Sequence, residues 1–141
     1  MKTKWFLTSW LTSAVIMYAL SFLWHGVLLN DYVNIKYPMW LYFLLAGVVY
    51  LVIGLILTYL YYYTYTKKMQ YKGALMGACL GFFIYLIAFV LGVSFNQNSL
   101  HHIVVDFIWQ MVEQGIGGSS VGFLFGFLSH MHKVENPDGQ S

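Results

Sequence analysis

Residues 99–130 read SLHHIVVDFIWQMVEQGIGGSSVGFLFGFLSH, and this stretch decides the fold that the sequence predicts. It is longer than the roughly 20 residues that a helix needs to cross the hydrocarbon core of a bilayer. Its apolar run nevertheless contains the carboxyl groups of Asp106 and Glu113. An ionised carboxylate at the centre of a membrane costs about 2.5–3.5 kcal/mol on insertion scales. Each of these groups must therefore be paired, protonated or hydrated.

The composition of the whole chain favours lipid rather than water as its solvent. Of the 141 residues, 60% are hydrophobic and 9% are charged, whereas a soluble domain carries roughly 25% charged residues. A chain with so few charges cannot cover its surface with polar groups. We therefore expect an integral membrane protein whose first partner is the lipid bilayer.

The residue types exclude several classes of function. The basic side chains other than histidine are all lysines, so the bidentate arginine contacts typical of nucleic-acid recognition are missing. The sequence has no phosphate-binding loop, nucleophile elbow or cysteine-rich zinc motif. We expect no nucleic-acid partner and no enzymatic activity.

Apolar segments indicate an all-α fold. Each is long enough to span a bilayer, and a helix satisfies its own backbone polar groups within so few residues. We predict spans over residues 5–29, 39–63, 73–95 and 100–129. They form a single transmembrane domain over residues 1–131, an integral membrane four-helix bundle, and a short polar tail follows over residues 132–141.

The lysines predict the orientation of this bundle. Six of the seven lysines lie in the N-terminal segment, the second connection and the tail, and Lys36 alone lies in the first connection. Positively charged residues concentrate on the cytoplasmic side of a membrane. Both termini are therefore expected in the cytoplasm, in a cell membrane that the chain crosses several times.

Glycines recur at every fourth position in the third and fourth segments. Residues with this spacing share one helix face, and small residues there let two helices approach closely in lipid. The residues are Gly73, Gly77 and Gly81 in the third segment and Gly118, Gly122 and Gly126 in the fourth. In an antiparallel hairpin centred between Ser99 and Leu100, Gly73 would face Gly126 and Gly81 would face Gly118.

A polar face follows the fourth segment, with spacings of four, four and three residues. Its members are His102, Asp106, Gln110 and Glu113. The first segment carries a second polar face, made of serines and ending at His25. We predict that the two helices pack through these faces, with His25 or His102 beside Asp106.

Glu113 lies deeper in the membrane than Asp106, beyond the reach of any lysine. We expect hydroxyl or amide groups around it, such as the hydroxyls of Tyr18 and Tyr85. Whether Glu113 faces the interior of the bundle or a partner protein is left open by the sequence. The rotation of the fourth helix about its axis sets this direction. A carboxyl that faces the interior would suit conduction, and one that faces outward would suit docking.

Three functions are compatible with these residues. The first prediction is an accessory or structural subunit of a larger membrane complex, or of a homo-oligomer, that docks through its polar and glycine-rich faces. The first alternative is a small transporter or a proton- or ion-conducting protein that uses Glu113 and Asp106. The second alternative is a haem- or metal-binding membrane protein with His25, His101 and His102 as ligands. Asp106 is a further candidate metal ligand, and the sequence by itself implies no cofactor.

The segments FLWHG at residues 22–26 and GALMG at residues 73–77, together with residues 106–126, carry a family resemblance. The chain resembles the small four-span bacterial membrane proteins catalogued as domain of unknown function 1761. That family often has an aromatic residue at the position of His25. The resemblance implies a four-helix architecture and a bacterial inner membrane, and it implies no activity.

Overall fold

In the computed structural model, the regular elements of the described residues are all helices, which confirms the predicted all-α fold. The structure describes residues 2–30, 38–64, 71–90 and 100–135, excluding the side chains of Lys2, His102, Ser129 and residues 132–135. The helices are α1 (Lys2–Ser21), which continues as a π-helix (Phe22–Leu28), α2 (Met39–Thr64), α3 (Lys72–Val90) and α4 (Leu100–Glu135).

Three helical stretches within the described residues are long and apolar enough to cross a membrane. They are Thr3–Leu28, Met39–Thr64 and Lys72–Val90. Large apolar side chains on their outer faces are widely exposed, among them Val15 at 65% and Trp40 at 67%, as suits contact with lipid. These features are those of a multi-pass membrane protein. The fourth predicted span corresponds to α4, whose carboxyl, amide and serine groups make it more polar, and its crossing stays a prediction.

Local chemistry explains where the first two helices end and begin. The Leu29 amide donates to the Trp24 carbonyl at 2.9 Å, the wide hydrogen bond of a π-helix. The next residue, Asn30, has a φ of 54°, a left-handed conformation that stops a helix. Pro38 directly precedes α2, and its carbonyl accepts the amides of Leu41 and Tyr42 at 3.0 and 3.2 Å. The sequence predicts both boundaries.

Helix α4 lies at the centre of the packing, with α3 on one side and α1 on the other, and α2 packs mainly on α1. Its neighbours bury the side chains of Glu113 and Gln114, the most polar groups in the middle of the helix. The buried core lies between α1, α2 and α4 and includes Met17, Leu57 and Val121, none of which has exposed surface. Helix α4 continues to Glu135, six residues past the predicted end of its span at residue 129.

The glycines of α3 face α4, as the spacing predicts, but the predicted register is wrong. Gly73 lies against Gly118, Gly77 against the Gln114 carbonyl and Gly81 against the Gln110 carbonyl. Each contact falls eight residues earlier in α4 than the prediction places it. Because α3 ends at Val90 and α4 begins at Leu100, the centre of the hairpin lies near residue 95 and not between Ser99 and Leu100.

The same shift moves Gly122 and Gly126 of α4 away from the positions that the prediction gives them. Gly122 is buried, with its amide nitrogen next to Gly73, and Gly126 is half-buried. The surface that receives the glycines of α3 is made of backbone carbonyls of α4. Glycine permits this approach, because a Cβ at Gly77 would collide with the Gln114 carbonyl, and close Cα–H···O contacts stabilise such helix pairs.

Candidate functional site

Glu113 lies inside the helix assembly. Neither its side chain nor that of Gln114 has any exposed surface. On one side of α4, Gln114 and Gly118 contact α3, and on the other Gly117 contacts Met17 and Ser13 of α1. The orientation that the sequence leaves open is therefore inward.

The carboxyl of Glu113 is surrounded by polar groups from two helices. Gln114 Nε2 donates to Glu113 Oε1 at 3.3 Å. The Tyr50 hydroxyl of α2 faces the same carboxyl and also faces the hydroxyl of Ser21 at the end of α1. The indole of Trp109, one turn earlier in α4, is directed toward Glu113 as well.

Hydrogen bonding around this carboxyl is incomplete. Within the described residues, Glu113 Oε2, Gln114 Oε1 and Trp109 Nε1 are buried and lack a partner at hydrogen-bonding geometry. A buried polar atom without a partner costs about 1–3 kcal/mol. Such a cluster is typical of a site that binds a proton, water or a small polar ligand.

Asp106 and two tryptophans lie toward the start of α4. Trp24 of the π-helix stacks on Trp109, with the ring centroids 4.2 Å apart and the planes 8° from parallel. Trp24 Nε1 donates to Asp106 Oδ1 at 3.4 Å. Trp24 is thus a described partner of Asp106, and the predicted partner His25 is the next residue along the π-helix. The other predicted partner, His102, has its side chain outside the described residues.

Hydroxyl groups lie on the other side of Glu113, toward the end of α4. The Ser13 hydroxyl donates to the Gly117 carbonyl at 3.0 Å inside the protein. Ser9 and Thr58 are fully buried, and neither hydroxyl has a partner within the described part of the chain. Their helices, α1 and α2, run antiparallel.

The contacts between these two helices fix the level of the hydroxyls. Phe6 meets Tyr62 with the ring centroids 6.1 Å apart, and Gly54 packs against Ala14. Ser9 lies between Phe6 and Ala14 on α1, and Thr58 lies between Gly54 and Tyr62 on α2. The two hydroxyls are therefore at the same level of the helix pair.

The predicted polar face of α4 is divided between two sides of the helix. Gln110 is half-buried, and its carbonyl meets Gly81 of α3, whereas Glu113 faces α1 and α2. The division follows from helix geometry, since a spacing of three places Glu113 about 60° away from Gln110 around the helix axis.

The predicted metal ligands do not form a cluster in the described residues. No group of three or more histidine, cysteine or acidic side chains that could hold a metal occurs there. His101 is exposed and His25 is half-buried. The described residues therefore offer no site with three or more metal ligands, and the side chain of the candidate ligand His102 lies outside them.

Hydroxyl and amide groups are the predicted neighbours of Glu113, and Tyr50 and Gln114 supply them, but the two tyrosines named as examples bond elsewhere. The Tyr18 hydroxyl donates to the Phe43 carbonyl at 3.3 Å, and the Tyr85 hydroxyl donates to the Ile103 carbonyl at 2.9 Å. Backbone carbonyls at helix ends satisfy these hydroxyls. The sequence signal for Tyr50 is its place in the middle of an apolar span, away from the tyrosine-rich end of α2.

Trp109 and Gln114 are also absent from the residues that the sequence singles out. Both flank Glu113 on α4, one turn before it and directly after it. An amide next to a carboxyl inside an apolar run is a signal for a buried polar pair. The stacking of Trp24 on Trp109 joins distant parts of the chain, and no pattern in the sequence around either tryptophan predicts it.

Comparisons with known proteins add no further assignment: no family model, no curated protein and no solved structure matches the chain. The resemblance to the four-span bacterial proteins stays a prediction. The site geometry is therefore the basis for a functional proposal.

Proposed function

We propose that this protein is a small proton-conducting transporter of a bacterial inner membrane, in which Glu113 binds and releases the transported proton. The burial of Glu113 is the observation that supports this function. Its side chain has no exposed surface, and its Oε2 has no partner among the described residues. Carboxyl groups inside membrane helices commonly mark proton and ion paths.

The groups around Glu113 favour a proton over a metal cation. Gln114 presents an N–H group to the carboxyl, and the Tyr50 hydroxyl and the Trp109 indole lie beside it. N–H and O–H donors stabilise a carboxylate that has released its proton. A metal cation instead needs about six oxygen ligands, and the unpartnered buried oxygens beside this carboxyl in the described residues are Glu113 Oε2 and Gln114 Oε1. The site is therefore suited to alternate between its protonated and ionised forms.

The proposal includes α4 as a fourth membrane crossing, with both termini in the cytoplasm. Ser13 meets Gly117 and Trp24 meets Asp106, so α1 and α4 run antiparallel. The start of α1 and the end of α4 therefore lie at the same end of the assembly. The lysine distribution supports the cytoplasm as the side at which that end lies.

An accessory subunit is the second candidate, and the geometry supports it less. That function assigns docking to the polar and glycine-rich faces. Within the described residues, α4 covers the glycines of α3, and Glu113 is enclosed by α1, α2 and α4. A partner protein would have to bind the exposed apolar surface, which lipid also covers.

The test is proton flux into vesicles that contain the purified protein. A potassium diffusion potential drives protons inward, and a trapped pH-sensitive dye reports their entry. We expect Glu113→Gln, which keeps the size and hydrogen bonding of the side chain, to lower the flux to that of protein-free vesicles. Ser119→Ala is the matched control, because the Ser119 hydroxyl is exposed and donates to the Gly115 carbonyl of its own helix at 2.9 Å.

Folding of each variant is checked by its helical circular dichroism and by its unfolding in mixed micelles. Two results would contradict the proposal. One is a wild-type flux no greater than that of empty vesicles. The other is a folded Glu113→Gln variant that conducts as well as the wild type.

A further inference from the structure

We infer that the stacked pair Trp24 and Trp109 is a gate, which closes the path that runs along α4 between Asp106 and Glu113. The inference rests on the proposed proton conduction and adds the regulation of access to the site. It assigns a role to residues that bind no proton themselves.

The stack of Trp24 and Trp109 lies between Asp106 and Glu113 along α4. Trp109 lies three residues after Asp106 and four before Glu113, about 4.5 Å and 6 Å along the helix axis. Its ring is covered by Trp24 of the π-helix, with a centroid distance of 4.2 Å and an angle of 8° between the planes. Rings this close are in van der Waals contact and admit no water between them.

An indole side chain cannot pass a proton along a chain of hydrogen bonds. A proton moves along a chain of groups that can each accept one proton and donate another. The indole nitrogen of tryptophan is a donor only, unlike a hydroxyl or a water molecule. The stack is therefore a break in any chain of hydrogen bonds that runs along α4 from Asp106 to Glu113.

The opposite end of the site has the chemistry that the stack lacks. Ser9 and Thr58 carry buried hydroxyls without partners, and the Ser13 hydroxyl bonds to the Gly117 carbonyl at 3.0 Å. Hydroxyls both donate and accept, so together with buried water they can carry protons. Along α4, hydroxyl groups therefore lie on one side of Glu113 and the indole stack lies on the other.

The π-helix provides a means of opening the gate. Trp24 lies within it, and the Trp24 carbonyl accepts the Leu29 amide at 2.9 Å across the wide turn. Single π-turns often occur at functional sites. Changing this hydrogen bond to the ordinary helical pattern would rotate the segment and carry the indole of Trp24 away from Trp109.

The test compares the proton flux of Trp24→Ala with that of the wild type in the vesicle assay. We expect the Glu113-dependent flux to rise roughly tenfold, which corresponds to about 1.4 kcal/mol less stabilisation of the closed state. The double variant Trp24→Ala with Glu113→Gln should conduct no better than empty vesicles. Trp24→Phe keeps an aromatic ring, so it should fold as the wild type does and give a smaller rise.

Trp40→Ala is the matched control, because Trp40 is 67% exposed on the outer face of α2. The coupled circular dichroism band of two stacked indoles should be present in the wild type and absent in Trp24→Ala. This band reports closure of the gate independently of flux.

A different route around the stack would overturn the inference. Tyr50 and Ser21 lie beside Glu113 and could carry protons past the tryptophans. In that case Trp24→Ala would leave the flux unchanged while Ser21→Ala lowered it, and conduction through Glu113 would stand without the gate. If neither the wild type nor Trp24→Ala shows Glu113-dependent flux, the proposed function itself fails.

Discussion

At the scale of single residues, the interior of this protein contains more polar atoms than it satisfies. Ser9, Thr58, Trp109, Glu113 and Gln114 each have a buried side-chain atom without a partner in the described structure. Unpartnered groups lower stability, and proteins keep such groups mostly where function requires them. Removing one of these hydroxyls from the proposed proton path should therefore raise the free energy of unfolding and lower the proton flux.

Thr58→Val tests this opposition. Valine has a similar shape and no polar atom, so we expect the free energy of unfolding in mixed micelles to rise by about 1 kcal/mol. The proton flux should fall, because the path loses a group that accepts and donates. The matched control is Thr64→Val on the same helix, where the exposed hydroxyl bonds to the Leu60 carbonyl at 2.7 Å and lies outside the path. A Thr58→Val protein that conducts as the wild type does would remove Thr58 from the path.

At the scale of helices, the contact between α3 and α4 depends on the missing side chains of three glycines. A Cβ at Gly77 would meet the Gln114 backbone, whereas nothing lies within 4 Å of a Cβ built at Gly47 of α2. The neighbour of Gly77 is a carbonyl of a continuous helix, which cannot move by itself. The two helices would have to separate.

Gly77→Ala and Gly47→Ala therefore form a matched pair. We expect Gly77→Ala to lower the free energy of unfolding by about 1–3 kcal/mol through overpacking. Gly47→Ala should be neutral or raise it by up to about 1 kcal/mol, because alanine favours the helical state. Unfolding in mixed micelles measures both. Equal effects of the two changes would mean that the close approach of α3 and α4 does not stabilise the protein.

Most of the structure that the sequence predicts concerns the helices. Long apolar runs, Asn30, Pro38 and the glycine spacing predict where helices lie and which face of α3 is buried. The register of α3 on α4 is not predictable in this way, because it depends on the centre of the connection and on carbonyls that every sequence has. The inward position of Glu113 and its contact with Tyr50 depend on the rotation of whole helices, which local patterns do not encode.

At the scale of the whole molecule, the chain uses its polar and glycine-rich faces for its own packing. Helix α4 is covered by α1 and α3, and α2 packs on α1. The surface that remains is largely apolar and suits lipid. Among the described residues, Glu113, Gln114 and the glycines of α3 are therefore covered by other helices of the same chain.

Native mass spectrometry after extraction in mild detergent tests whether another polypeptide accompanies the chain. We expect the mass of the chain alone, or of copies of the chain, with no other polypeptide and no prosthetic group. A second kind of subunit in the spectrum would favour the accessory function over proton conduction. An added mass that disappeared in His25→Ala would instead favour a haem or metal protein.

The arrangement of the site also has a consequence for how the protein is made in the cell. Ribosomes synthesise a chain in order, so α1, α2 and α3 are made before α4. These three helices contain no acidic residue, and the carboxyls of Asp106 and Glu113 both arrive with α4. A half-made chain therefore has no proton-binding carboxyl in the bilayer. Trp109 lies on the same helix as Glu113, whereas Trp24 is made earlier with the first helix. Under the proposed function, both halves of the gate are therefore present as soon as the chain contains Glu113.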